Sequence, residues 1–217
     1  MKKIFLTVAI FATSFMVLNA QVRFGIKAGL NNSTLGGDGA DFSGKKSNTA
    51  VNAGVFANIP FSEHFSFKPE LMYSSNEGME FRPAATTEVN YNLNYLNVPL
   101  MIQFKSDGGF YGEAGPYVGF LLSGKYKQNV SGVKSESDIK DYFKSTDLGA
   151  ALGIGYMMKS GFGIGARYNM GLSNIYDASS LELKNRFWQL NLLYTFNNTA
   201  NHAGAKDKAK KAAKGKM

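Results

Sequence analysis

The chain has 217 residues and no cysteine. That excludes a disulfide scaffold, thiolate metal sites, a cysteine nucleophile and a lipoprotein anchor. Two histidines, His64 and His202, leave little material for imidazole catalysis or a zinc site. Charged residues are also scarce, 18% against about 25% in an average soluble domain. Past residue 20 no apolar run is long enough for a membrane-spanning helix, which needs about 20 residues.

Positive charge is not scarce, but it is unevenly placed. The net charge is +8. Lys2 and Lys3 carry +2, and residues 197–217 carry +5, from six lysines against Asp207, so only +1 remains for 21–196. The body of the protein is nearly neutral. Nucleic-acid binding by the folded part loses its electrostatic support.

The first twenty residues read as an address. Met1-Lys2-Lys3 is a cationic start, Ile4–Leu18 is an apolar run broken only by Thr7, Thr13 and Ser14, and Asn19-Ala20 precedes Gln21. This three-part pattern predicts a signal peptide over 1–20, cleavage after Ala20 and export.

From there to residue 196 the recurring pattern is two-residue alternation in segments of about ten. It appears at 22–31, 49–59, 65–74, 91–104, 110–122, 147–157, 162–171 and 186–196. In the first segment Val22, Phe24, Ile26, Ala28 and Leu30 oppose Arg23, Gly25, Lys27, Gly29 and Asn31. The fourth changes phase: Tyr91, Leu93 and Tyr95 are apolar at odd positions, Leu96 to Phe104 at even ones. One extra residue near Tyr95, a β-bulge, is expected to repair it. Connections alternate in length. Pro60–His64, Lys105–Gly109 and Met158–Gly161 are tight, whereas 32–48, 75–90, 123–146 and 173–185 are long and polar. An up-and-down meander places all tight turns at one end and all long loops at the other.

The chemistry of the two faces chooses between two closed barrels. A soluble lipocalin-type barrel turns its apolar residues inward around a ligand. Here the second face is Gly, Asn, Lys, Glu and Arg, which suits a polar lumen inside a lipid-facing wall. Aromatics gather near the turns (Phe61, Phe65, Phe104, Phe110, Tyr156, Phe162, Tyr194, Phe196), and Tyr73, Tyr91, Tyr168 and Trp188 are expected to form the opposite girdle. The predicted fold class is therefore all-β: an eight-stranded antiparallel up-and-down transmembrane β-barrel of the outer-membrane type over 21–196. A soluble periplasmic ligand-binding barrel is the less favoured alternative.

Several short pieces also resemble a known family. They are Gly25-Ile26-Lys27-Ala28-Gly29-Leu30-Asn31, Pro69-Glu70-Leu71-Met72-Tyr73, Tyr95-Leu96-Asn97-Val98-Pro99-Leu100, Gly115-Pro116-Tyr117-Val118-Gly119, and Arg167-Tyr168 with Gly171-Leu172. In order and spacing they resemble the PorT-like outer-membrane β-barrel family. That resemblance implies an eight-stranded barrel in the outer membrane. It also brings a link to protein secretion for the name-giving member, while most relatives have no assigned activity. Asn97 departs from the pattern, because the family usually carries a Glu before the Val/Ile-Pro pair.

The candidate sites are few. Arg23, Lys27, Lys68, Glu70, Glu113 and Arg167 face the lumen and are expected to form a packed polar plug in which Glu70 and Glu113 pair with Lys68, Arg167 or Lys27, since eight strands enclose a space that side chains can fill. The alternative is a narrow, anion-preferring pore. Glycines 149, 153, 155, 163 and 165 are expected to make room for Tyr111, Tyr117 and Arg167. Gly161-Phe162-Gly163-Ile164-Gly165 lacks the following helix that a phosphate loop needs. Neither His64, in a tight turn, nor His202, in the tail, reaches the outer rim where barrel enzymes work. Asp138 and Asp141 read as a solvated loop face, and Asp38 and Asp41 lack a full calcium loop. No catalytic residue, metal or cofactor is assigned. Lys206, Lys208, Lys210, Lys211, Lys214 and Lys216 form a basic periplasmic tail over 197–217, expected to be disordered; its alternative role is attachment to anionic lipid or peptidoglycan carboxylates. The expected partners are outer-membrane lipid and an envelope protein reached through the loops, 123–146 above all. The expected state is a monomeric, non-enzymatic barrel.

Overall fold

The structure is a computed structural model. It describes residues 22–36, 45–75, 77–84, 87–176 and 182–196. The signal segment, the basic tail with its six lysines, Asp38, Asp41 and His202 lie outside these residues.

Ten strands form one closed sheet: β1 (Arg23–Gly36), β2 (Lys45–Pro60), β3 (Phe65–Ser74), β4 (Met79–Ala84), β5 (Thr87–Lys105), β6 (Phe110–Val130), β7 (Val133–Asp138), β8 (Thr146–Met157), β9 (Phe162–Gly171) and β10 (Lys184–Thr195). Eight of them make the ring, in the order β1-β2-β3-β5-β6-β8-β9-β10, every pair antiparallel. β10 returns to β1 in continuous register from Gly25↔Thr195 to Gly36↔Lys184, which closes the wall. β4 continues the line of β3, pairing with β2 on one side and β5 on the other. β7 folds back on the upper half of β6. The eight-stranded up-and-down barrel expected from the alternation is the observed fold.

Alternation decides which side chains meet lipid. Leu192 is 68% exposed and Ile154 71%, while Lys68 and Arg167 are 1% and 2% exposed. This inversion of a soluble protein suits hydrocarbon outside and a polar interior. Tilted or edge-on ring pairs mark the tight-turn end: Phe65–Phe104 at 5.2 Å, Phe110–Tyr156 at 5.0 Å and Phe162–Tyr194 at 4.7 Å between centroids. Tyr168 and Trp188, 4.7 Å apart, lie toward the other end. Tyr91 does not join them: it packs inward against the apolar cluster of the loop end and edges onto Tyr126.

Turn chemistry fixes the tight end. Gly109 and Gly161 have φ of +95° and +93°, a left-handed conformation that glycine adopts without Cβ strain. Their amides close the turns onto Ser106 O and Met158 O.

Two details differ from the sequence reading. Register slips where Asn94↔Ser123 gives way to Tyr95↔Leu121, so the extra residue is Leu122 on β6, while burial along β5 alternates without a break from Leu93 to Phe104. The change of phase in β5 has another cause: its inward side chains turn apolar near the loop end. The long connections are also shorter than expected. β1, β2, β5 and β6 run past the lipid-facing zone, and the 75–90 and 123–146 stretches contain β4, β7 and a single 3-10 turn, Lys140–Tyr142.

Candidate functional site

The lumen is built in zones from the turn end upward. At the turn end a cavity of about 440 Å³ opens to the outside, lined by Arg23, Asn58, Ser66, Gln103 and Lys105, with Lys68 at its inner side. Arg23 is exposed there and joins no ion pair among the described residues, so it lies apart from the other five predicted lumen residues.

Those five come together. Lys27 Nζ lies 2.9 Å from Glu70 Oε2, and Lys68 Nζ lies 3.2 Å from Glu113 Oε2 and 3.4 Å from Glu70 Oε1. Arg167 donates to both Glu70 oxygens at 2.8 Å, donates from Nε to Glu113 Oε1 at 2.9 Å, and also meets that oxygen through Nη2. Gln103 adds a bond to Glu113 Oε2 at 3.3 Å. Three cations thus share two carboxylates, all buried. Such groups leave water only when paired and hydrogen-bonded. Lys68 is further wrapped by the Phe56 and Tyr111 rings, at 4.7 and 5.5 Å from their centroids.

Glycines give these side chains their space. A Cβ at Gly155 or Gly165 would lie 2.4 or 2.1 Å from the Tyr111 hydroxyl, and one at Gly149 would lie 2.3 Å from the Tyr117 ring. Gly153 faces Glu113, and Gly163 faces Met157 on the neighbouring strand.

Further in, amides replace ions. Asn31 Oδ1 accepts from Asn52 at 2.7 Å and Gln189 at 3.1 Å, and its amide donates to Ser74. Asp147 accepts from Tyr117 Oη, Asn185 Nδ2 and Ser173 Oγ at 3.2, 3.1 and 3.0 Å. Asn97, at the position where the resemblance implies Glu, donates to Glu77 Oε1 at 2.7 Å. Glu77 and Asp147 were not picked out from the sequence. Each sits in a polar stretch at a strand boundary, where neither alternation nor a motif separates it from solvated loop residues.

At the loop end the lumen is shut by oil. Leu35, Leu93, Tyr95, Leu121, Phe143, Ile175 and Leu183 form one buried cluster. The chain segments over it are tied together: Lys144 N–H donates to Ile175 O and Ile175 N–H to Leu183 O, both at 2.8 Å, and Phe143 bridges to Tyr176. Above this cap the β6–β7 hairpin stands clear, every residue of β7 exposed. Ser131 and Gly132, with φ of +51° and +91°, supply the two left-handed residues of its turn.

Of the remaining sequence candidates, His64 sits in the first tight turn, 3.4 Å from Asp107. Asp138 accepts from its own loop at Lys140 N–H, and Asp141 is exposed in the 3-10 turn.

Among solved structures, the attachment invasion locus protein Ail of Yersinia pestis is 19% identical with a TM-score of 0.48, over 80% of this chain and 98% of its own. Neisserial surface protein A is 13% identical with a TM-score of 0.47, over 80% and 97%. OprG of Pseudomonas aeruginosa is 15% identical with a TM-score of 0.40, over 82% and 97%. No curated protein matches the sequence. The family described as "Outer membrane protein beta-barrel domain" matches residues 11–177. The chain belongs to that family, and is an integral β-barrel of the bacterial outer membrane.

Proposed function

We propose that this barrel is a closed scaffold that presents an interaction surface outside the cell, and that it neither conducts solute nor catalyses a reaction. The observation that carries the reading is the double closure of the lumen. A buried ion cluster reaches from wall to wall, and a separate apolar cap lies above it. A water-filled path would have to breach both. Among the described residues, the β6–β7 hairpin stands free, with Lys125 and Lys127 paired to Glu136 on its surface and Val133 74% exposed at its tip. An envelope or surface protein is the expected partner, and the unit is a monomer.

Purified protein in planar bilayers should stay electrically silent; a steady discrete conductance would overturn the closed-scaffold reading and favour the pore. Replacing residues 126–137 by a two-residue turn should remove a partner cross-linked on whole cells while leaving the barrel folded. An unchanged cross-link would move the surface elsewhere.

We place the chain with the PorT-like group on the pieces around Gly25–Asn31, Pro69–Tyr73, Tyr95–Leu100 and Arg167–Leu172. The 1–20 segment directs export, and for the 197–217 lysines attachment to anionic lipid or peptidoglycan is the alternative to a solubilising end. A link to protein secretion rests on the resemblance alone.

A further inference from the structure

Glu77 and Asn97 present an imbalance that one proton resolves. Glu77 lies in the short link between β3 and β4 with no exposed surface, and Asn97 is 4% exposed. Asn97 Nδ2 donates to Glu77 Oε1 at 2.7 Å, yet the second atom of each group, Glu77 Oε2 and Asn97 Oδ1, is buried with no hydrogen-bond partner among the described residues. Both are acceptors when Glu77 is ionised. A buried acceptor without a donor is costly, and a buried carboxylate without a cation more so. Among the described residues no lysine, arginine or histidine pairs with Glu77, since Lys27, Lys68 and Arg167 are committed to Glu70 and Glu113.

We propose that Glu77 and Asn97 form a buried proton-binding site, in which neutral Glu77 donates from Oε2–H to Asn97 Oδ1 and closes a ring with the Nδ2–H···Oε1 bond. The proton comes from and returns to water, so uptake is carboxylate plus proton to carboxylic acid and nothing else changes hands. The surroundings agree. Asp147 on β8, Tyr95 on β5, Tyr117 on β6 and Ser74 on β3 are the titratable or hydrogen-bonding groups acting on the carboxyl, and none of them is a cation. Burial, reinforced by the Asp147 charge and opposed by the hydrogen bonds from Ser74 and Asn97, pushes the Glu77 carboxyl up to about 8. A metal ion suits the place less well: both Asp147 oxygens already accept hydrogen bonds, and the described residues hold no cluster of three or more acidic, histidine or cysteine side chains that could bind one.

The site has a mechanical position. Glu77 N–H bonds Leu93 O at 2.7 Å, and Gly78 exchanges bonds of 3.2 Å with Ser33 Oγ, so this link seals the wall where β3 stops and β4 begins. Ionised Glu77 would face Asp147 in a buried setting, and its relief is movement of Glu77 and Gly78 outward. A carboxyl raised in the folded state contributes stability that is complete below the ordinary carboxylate range and lost as pH rises to about 8.

Infrared difference spectra of the full chain, with isotope-labelled glutamate, test the idea between about pH 6 and pH 10. A protonated-glutamate carbonyl band should be present at the lower pH, vanish with a midpoint near 8, and be missing from Glu77→Gln. Absence of the band near pH 6, or its survival in Glu77→Gln, overturns the proposal. If Glu77→Gln does not fold, Asn97→Leu serves instead: loss of the amide partner should shift the band, and an unshifted band overturns the ring.

Discussion

Arg167 on β9 holds both carboxylate oxygens of Glu70 on β3, at 2.8 Å each, across a separation of 97 residues. In the ring order these two strands have three strands between them on either side, so they are diametrically opposed. The pair is a crossbar through the barrel's interior. Arg167→Ala should therefore cost about 3–5 kcal/mol, because it leaves buried carboxylates short of a cation. The check is urea unfolding of the barrel in lipid, followed by heat-dependent gel mobility. A loss under about 1 kcal/mol would mean that water enters freely and the cluster is solvated.

One of the two glycines that face Tyr111 gives a sharper prediction. At Gly165 an added Cβ would lie 2.1 Å from the Tyr111 hydroxyl but 3.3 Å from the carbon that bears it. Gly165→Ala should destabilise by about 1–3 kcal/mol through overpacking. Tyr111→Phe in the same chain should recover much of that loss. Additive effects in the double variant would show that the strain lies in the backbone rather than at the hydroxyl.

Sequence reading reached the fold because a lipid-facing wall writes its two-residue period plainly: Trp188, Leu190 and Leu192 against Gln189 and Asn191. It reached Lys27, Lys68, Glu70, Glu113 and Arg167 for the same reason, as charges on the inward phase. Arg23 lines the turn-end cavity yet stands apart from those five, because phase says which way a side chain points and not how far along the axis it sits. The reading put the bulge on the wrong strand, because inward Leu93 and Tyr95 belong to an apolar cap that also draws Phe143, Ile175 and Leu183 from distant loops. Glu77 was invisible for a related reason: its burial depends on Asn97 and Asp147, and nothing local marks it.

Depth in the membrane should separate two exposed apolar residues. Leu190 faces outward near the middle of β10, whereas Val133 stands on the hairpin tip. Leu190→Arg should cost about 2–4 kcal/mol and Val133→Arg close to nothing. Equal costs, measured by urea titration in vesicles, would contradict the proposed lipid boundary.

Orientation can be read with a protease. Trypsin added to intact cells should cut at Lys127 or Lys134 in the exposed hairpin and spare Lys105 and Lys159 beside the tight turns. The two fragments should stay together and keep the heat-dependent shift, since β7 contributes nothing to the buried interior. Cleavage confined to Lys105 and Lys159 would invert the barrel.

The ion cluster also bears on how the wall is assembled. Its members come from β1, β3, β6 and β9, so no single hairpin can complete it. A neighbour that slips by one residue turns its charged side chain into the lipid. A slip by two residues keeps it inside but displaces it by about 7 Å along the strand, out of reach of its partner. Either error strands a charge in a medium that does not tolerate one. Misalignment thus carries its own penalty, and the register that joins β1 to β10 is the one in which all five charges find their partners.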